Sequence, residues 1–460
     1  MKCSEKTCSR RILLVPYPAQ GHVTPMLQLA IILRDRGFEP VIITPEFIHS
    51  RITKLPNNNN NIGVSFASIP DGLEGNETID FFTISNTMEN CMPLHLERII
   101  RNDGKVLCVI VDLLASWAIE VVNHCKVPAA GFWPAMLSTY NLISTIPDMI
   151  RLGHISELGS PRHQGTVCLP GKAMLTTGDL PWLIGNPVAQ ESRFRFWMRI
   201  LNRSKSLRWL LVNSFPEEEC ETDILIEQQD PTTQTCPKVF KIGPLTTYTG
   251  PGESLRSFWE EDRSCLSWLD SQRHLSVVYV SFGSWVGPIG EEKVREIALG
   301  LEAAKMPFIW VLADTWRKGL PEGYLEKVTS SGNGKVVSWA PQKEILQHDS
   351  IGCYLTHCGW NSTTEAIECG KRLLCYPVAG DQFVNCNYIV NVWGIGVKMD
   401  GIGRDDIEKG VRKLMEEGGD IQERVMKLKK KIVSELGSSR AMSTLTAFIN
   451  DLNEHTTHIP

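Results

Sequence analysis

The stretch from Trp339 to Gln382 is unusually dense in turn-forming and hydrogen-bonding side chains. Within it a short apolar run, Ile351 to Thr356, leads into Cys358-Gly359, which permits a sharp turn, and then into Asn361, Ser362 and Thr363, all good helix N-cap types. A helix beginning there would aim free backbone N–H groups and its positive end at one spot, a ready place for phosphate. His357 would add a hydrogen bond, charge-assisted or neutral. Glu365, about one turn into the helix, is an acceptor suited to paired ribose hydroxyls, and Trp339 offers a face for a flat base. Asp381-Gln382 would offer acceptors and a donor to sugar hydroxyls. Each of these has a plainer reading. Capped strand–turn–helix units recur throughout α/β proteins, and a lone tryptophan is an ordinary core residue. It is their co-occurrence over one continuous span that favours binding. Two residues elsewhere invite acid–base chemistry. His22 falls after the first apolar run, in what reads as a loop, and imidazole suits a general base near neutral pH. Asp112 ends another apolar run, where it would accept the other ring N–H and fix the tautomer. On their own, the two read equally as a loop histidine and a helix-capping carboxylate.

The elements that position these groups alternate apolar runs with amphipathic stretches, the pattern of βα units around parallel sheets. The spacing predicts strands over Ile12–Val15, Pro40–Thr44, Val106–Val111 and Pro128–Phe132, with helices over Pro25–Arg36 and Ser116–His124. The pattern weakens from Met136 to Leu207, where irregular binding loops are expected. Trp182, Phe194, Phe196 and Trp197 in that region suit an apolar pocket and a structural core equally well. After a turn-rich linker at Thr246–Glu253 the series resumes with a strand over Ser276–Val280, a helix over Glu291–Ala304 and a strand over Phe308–Leu312. The chain from Asp405 to Leu452 reads as helical. The fold class is therefore α/β, with two doubly wound domains in tandem and ligands at the carboxyl ends of strands.

Composition narrows the alternatives. The chain has 460 residues, more than one core supports. Its 47 basic and 52 acidic side chains give a net charge of −5 without a basic stripe, so no nucleic-acid partner is expected. No apolar run is long enough for a membrane span, and no signal-peptide pattern precedes Ile12. The fourteen cysteines are expected to be reduced and mostly buried. Cys353, His357 and Cys358 lie close together but lack a second paired cluster, so no metal is expected. There is no phosphate-binding Gly-x-x-x-x-Gly-Lys-Ser/Thr motif and no Gly-x-Ser-x-Gly hydrolase elbow.

Trp339 through Gln382 resembles the signature box of plant family-1 UDP-glycosyltransferases, which act on secondary metabolites. The resemblance runs nearly the full length. It includes Pro18-Ala19-Gln20-Gly21-His22-Val23-Thr24-Pro25, Leu211-Val212-Asn213-Ser214-Phe215, Ile242-Gly243-Pro244-Leu245 and Val278-Tyr279-Val280-Ser281-Phe282-Gly283-Ser284. It implies a GT-B fold: an acceptor-binding domain over 1–245, a UDP-sugar-binding domain over 246–436, and a last helix, 437–460, packing back on the first domain. It also implies site roles. Trp339 would stack on uracil, with Ala340 and Gln342 at the base and ribose and Glu365 on the ribose hydroxyls. His357, Asn361, Ser362 and Ser284 would hold the diphosphate, and Trp360, Asp381 and Gln382 the sugar, where a terminal Gln tends to accompany glucose. His22 would be the general base and Asp112 its partner in an inverting transfer to a small, apolar, hydroxylated acceptor. The UDP-sugar is a co-substrate, with no cofactor and no metal. A cytoplasmic monomer is expected. Lys371-Arg372 and Val378-Ala379-Gly380 depart from the family pattern, which leaves open the shape of the loop before Asp381. Another UDP-sugar, such as UDP-xylose, UDP-galactose or UDP-rhamnose, and a catalytically quiet UDP-binding relative are the alternatives.

Overall fold

The computed structural model describes residues 10–53, 63–73, 81–163, 165–167, 175–215, 237–248, 259–283 and 289–457. Ser284, the asparagine run at 57–61 and most of the linker lie outside them.

The N-terminal half is built on a parallel sheet of β1 (Arg11–Val15), β2 (Glu39–Pro45), β3 (Ser65–Ile69), β4 (Val106–Asp112), β5 (Ala129–Trp133), β6 (Trp209–Val212) and β7 (Lys238–Lys241). Its spatial order is β3-β2-β1-β4-β5-β6-β7. The central strands β1, β4, β5 and β6 are apolar on both faces, each face packed into a separate hydrophobic cluster. The C-terminal half repeats the plan with β8 (Val277–Ser281), β9 (Phe308–Val311), β10 (Gly334–Val337), β11 (Ile351–Thr356), β12 (Arg372–Cys375) and β13 (Gly396–Lys398), in the order β10-β9-β8-β11-β12-β13. In each sheet the order reverses once, between β1 and β4 and between β8 and β11. A reversal opens a crevice at the strand ends, where ligands of doubly wound sheets bind.

Four helices matter for the site: α1 (Gln20–Asp35), α2 (Trp360–Cys369), α3 (Gln382–Asn387) and α4 (Glu435–Thr457). Leu445, Phe448 and Leu452 of α4 join the core of the N-terminal sheet, Phe448 meeting Trp209 and Phe240 edge-on. Asp451 ties α4 down by accepting from Trp209 Nε1 at 3.1 Å and pairing with Lys238 at 2.7 Å.

Two expectations change. α1 begins at Gln20, so His22 sits in its first turn and not in a loop. Pro25 is inside the helix, where its missing N–H costs one ladder bond. The region 136–207 contains helices at Leu137–Ser144, Ile146–Arg151 and Pro187–Ser204. The last is capped by Asn186 Oδ1 accepting from Ala189 N–H, and buries Phe194, Phe196, Trp197 and Ile200 beneath interspersed arginines.

Candidate active site

The two crevices face one another across a cleft of about 810 Å³, near the upper end of the range for small-molecule sites. On the N-terminal side, β4 ends at Asp112 and α1 presents His22 beside it. His22 Nδ1 lies 2.7 Å from Asp112 Oδ2. Asp112 is fully buried, and its other oxygen accepts from Leu114 N–H at 2.9 Å, so the carboxylate is held from both ends. The carboxylate can only accept, so Nδ1 carries the proton and Nε2 keeps its lone pair. The His22 side chain is 21% exposed and lines the cleft, which leaves Nε2 for a ligand.

On the C-terminal side, β11 runs into His357-Cys358-Gly359 and then α2. Thr363 N–H donates to Gly359 O at 2.9 Å, the first bond of the helical ladder, and the amides of residues 360–362 precede it at the helix mouth. The His357 ring packs between two glycines, and a Cβ at Gly283 or Gly359 would lie 2.6 or 2.4 Å from Nε2. Burial lowers the His357 pKa to about 4, so this ring is neutral at pH 7 and can offer only a neutral hydrogen bond. Its Nδ1 is buried without a hydrogen-bond partner among the described residues.

Gln342 organises a polar cluster beneath the cleft. Its Nε2 donates to Glu365 Oε2 at 2.8 Å and Ser362 Oγ at 3.1 Å, while its Oε1 accepts from Tyr279 and Tyr354 hydroxyls at 3.2 and 3.1 Å. Both polar ends of Gln342 are thus occupied, and it orients Glu365. The two tyrosines were not legible as site residues, because in apolar strands they read as core. Burial raises Glu365 to about 7, with the Gln342 bond opposing. Trp339 lines the cleft with Ala340, its ring 5.9 Å from that of Trp259.

Asp381 and Gln382 begin α3. Gln382 Oε1 accepts from Val378 and Ala379 N–H, both at 2.9 Å, which fixes the loop whose shape the sequence left open and directs its NH₂ outward as a donor. Asp381 accepts from Asn385 at 2.9 Å. Burial raises its carboxyl pKa, with the Asn385 bond opposing. Lys371 and Arg372 lie far from this loop. They donate to the carbonyls of His348, Ile351, Gly352 and Leu414 at the opposite end of β12.

Trp360 and Asn361 are placed differently from their neighbours. The Trp360 indole N–H is spent on Asn213 O at 2.6 Å, and its ring stacks on Phe215 at 5.6 Å, so only its backbone amide faces the mouth of α2. Asn361 Nδ2 donates at 2.8 Å to Gly21 O, the carbonyl that Pro25 leaves without a helical partner. The break in α1 thereby becomes a bond between the first turn of α2 and the turn carrying His22. Pro25→Ala supplies a competing N–H. It should raise the melting temperature while lowering kcat/KM about threefold, roughly two-thirds of the worth of a typical net hydrogen bond. Unaltered steady-state kinetics would refute this coupling.

Of the four aromatics left between pocket and core, Trp182 and Phe194 pair edge-on in the core at 5.2 Å, while Phe196 and Trp197 line the cleft. Among the described residues no helix is long and apolar enough to cross a membrane.

Comparison with known proteins accords with this geometry. The sequence model of the family described as "UDP-glucoronosyl and UDP-glucosyl transferase" matches residues 260–434. UDP-glycosyltransferase 82A1 from Arabidopsis thaliana is 48% identical over 98% of this chain and 100% of its own length. UDP-glycosyltransferase 83A1 from the same plant is 34% identical over 95% of this chain and 96% of its own. Among solved structures, Medicago truncatula UGT71G1 complexed with UDP-glucose matches at 24% identity with a TM-score of 0.79, covering 98% of this chain and all of the other, a likeness of GT-B fold. With two such halves enclosing one cleft and near-complete coverage at 48% identity, the chain belongs to the plant family-1 UDP-glycosyltransferases and is an enzyme that transfers a glycosyl group from a UDP-sugar.

Proposed function

We propose that the protein transfers glucose from UDP-glucose to a hydroxyl of a small, apolar acceptor with inversion at the anomeric carbon, without a metal ion. The observation that carries this reading is the buried Asp112 carboxylate 2.7 Å from His22 Nδ1, opposite the mouth of α2. In this reading UDP-glucose lies along the C-terminal side, with uracil on Trp339, ribose on Glu365 and diphosphate over the amides of residues 360–362. Asp381 and the Gln382 amide take the sugar hydroxyls. The acceptor rests against Phe196 and Trp197 with its hydroxyl at His22 Nε2. His22 removes the proton as the acceptor oxygen attacks the anomeric carbon from the face opposite UDP. One bond forms as the other breaks, and an α-linked donor gives a β-glucoside. Asp112 stabilises the imidazolium that forms.

Charge developing on UDP needs stabilisation. The chain contains no Asp-x-Asp, the usual metal-holding sequence, and the dipole of α2 with the His357 ring supplies that stabilisation instead. Glucose is favoured by Gln382 at the end of the box and by a structural neighbour whose own complex holds UDP-glucose. An apolar aromatic wall suits flat hydroxylated acceptors such as phenolics.

The test is turnover of UDP-glucose, UDP-galactose, UDP-xylose and UDP-rhamnose with a phenolic acceptor panel in excess chelator, followed by NMR of the product. A β-glucoside formed at an undiminished rate in chelator is expected. An α-linked product would refute single displacement, abolition by chelator would refute metal independence, and preference for another donor would reassign the sugar. A protein that binds UDP yet turns over no donor would be the catalytically quiet alternative.

A further inference from the structure

Beneath the donor loop, three cysteine sulfurs from separate elements converge. Cys358 follows His357 in the phosphate loop, Cys375 ends β12, and Cys386 lies in α3 one turn beyond Gln382. Their Sγ atoms lie within 4.8 Å of one another, and all three side chains are buried. This differs from the trio adjacent in sequence: Cys353 faces the opposite side of the sheet, and His357 turns toward Gly283. Cys358 adopts a left-handed backbone, φ 67°, a conformation uncommon for a residue with a side chain. Asn385 Nδ2 donates to Cys358 O at 2.9 Å and holds this turn against α3.

Beyond one another, Cys358 and Cys375 each reach, among the described residues, a carbonyl two residues back, at 3.8 and 3.9 Å. A metal about 2.3 Å from three coplanar sulfurs needs them about 4 Å apart, so small adjustments complete the geometry. Among the described residues no His, Asp or Glu joins the group. A structural zinc site calls for four ligands, whereas three thiolates alone suit soft ions that accept trigonal coordination. Three thiolates around a divalent ion leave one net negative charge. Lys398, paired in register with Cys375 on β13, places a positive charge on the neighbouring strand.

We propose that Cys358, Cys375 and Cys386 form a trithiolate site for a soft divalent metal ion, and that its occupation inhibits glycosyl transfer. Binding replaces three S–H bonds by three sulfur–metal bonds and releases three protons to solvent, with no change of oxidation state. Inhibition follows from position. Drawing the Cys358 sulfur inward moves the turn between His357 and Gly359, and Cys386 carries α3 and Gln382 with it. This coupling, though not the metal site, rests on the donor site proposed above.

The experiment uses the full-length, reduced, metal-stripped protein, titrated with Cd²⁺ and followed by the ultraviolet sulfur-to-cadmium charge-transfer band, whose intensity counts bound thiolates. Wild type should bind one tight equivalent with the intensity of three thiolates. Cys386→Ser and Cys375→Ala, shown to be folded by metal-free UDP-glucose binding or by circular dichroism, should each bind it about 100-fold more weakly. A missing band in wild type, or one of equal strength and affinity in both variants, would overturn the site. The same samples report the coupling: one equivalent of Cd²⁺ should weaken UDP-glucose binding about tenfold in wild type and leave Cys386→Ser unaffected. Full charge transfer with unchanged UDP-glucose affinity would overturn the inhibition. Failure of metal-free wild type to bind UDP-glucose would refute the donor site, and the cadmium titration would still decide the metal site.

Discussion

Transfer by a His22→Ala variant is expected to fall about 10³-fold in kcat, with UDP affinity unchanged within about twofold. The first half of this expectation follows from Nε2, the one ring nitrogen Asp112 leaves free to take the acceptor's proton. The second follows from the fold, because His22 rides on the N-terminal sheet while the groups assigned to UDP follow strands of the other. Asp112→Asn sharpens the test without removing volume. One Asp112 oxygen accepts from Leu114 N–H, so an introduced amide keeps its oxygen there and turns its NH₂ toward His22 Nδ1. Nδ1 must then accept, which moves the imidazole proton to Nε2 and leaves no lone pair for the acceptor. A loss approaching that of His22→Ala is expected, although the histidine is intact. Steady-state kinetics with calorimetric UDP titration measures both. Wild-type turnover in His22→Ala would exclude it as the base, and wild-type turnover in Asp112→Asn would exclude tautomer control.

These pairings also mark how far the sequence is legible. Apolar strands bounded by turn residues are local signals, and Ile351–Thr356 and the helix Glu291–Ala304 can be placed to the residue from them. The start of α1 cannot, because Pro25 looks like a first-turn proline until one sees that Asn361, 340 positions away, satisfies the carbonyl it strands. The helix at Pro187–Ser204 is hidden for a different reason: arginines interrupt its apolar face and blur the period. Within the site, residue types that bind nucleotide sugars are visible as types, but their commitments are not. Nothing local in Trp360 says that its indole N–H belongs to Asn213, or that the Gln342 oxygen is taken by two tyrosines from apolar strands. Nor does spacing bring Cys375 and Cys386 to Cys358, which takes the parallel pairing of β11 with β12 and the return of α3.

Glu365→Ala is expected to weaken UDP-glucose binding about 100-fold, since two charge-assisted hydrogen bonds to ribose are worth about 3 kcal/mol together. The pH dependence gives a more specific signature. Burial raises the Glu365 pKa from its ordinary 4.5 to about 7, so below pH 7 the free folded protein favours the neutral acid. The stabilisation this gives the fold is fully present below 4.5 and lost as pH rises through 7. Ribose hydroxyls act in the opposite sense, because they donate to the carboxylate and favour the ionised form. Binding near neutral pH should therefore release a proton from Glu365. Affinity should climb by close to tenfold per pH unit well below 7 and flatten above it. UDP-glucose is the right probe, since its diphosphate, esterified at both ends, has no secondary ionisation near neutrality to confuse the count. Calorimetry in buffers of differing ionisation enthalpy reads the proton directly. Glu365→Gln keeps an acceptor oxygen but cannot titrate, so it should bind weakly with neither proton release nor pH slope. An affinity that falls between pH 6 and 8 in wild type, or a slope that persists in Glu365→Gln, would move the ribose contact to another residue.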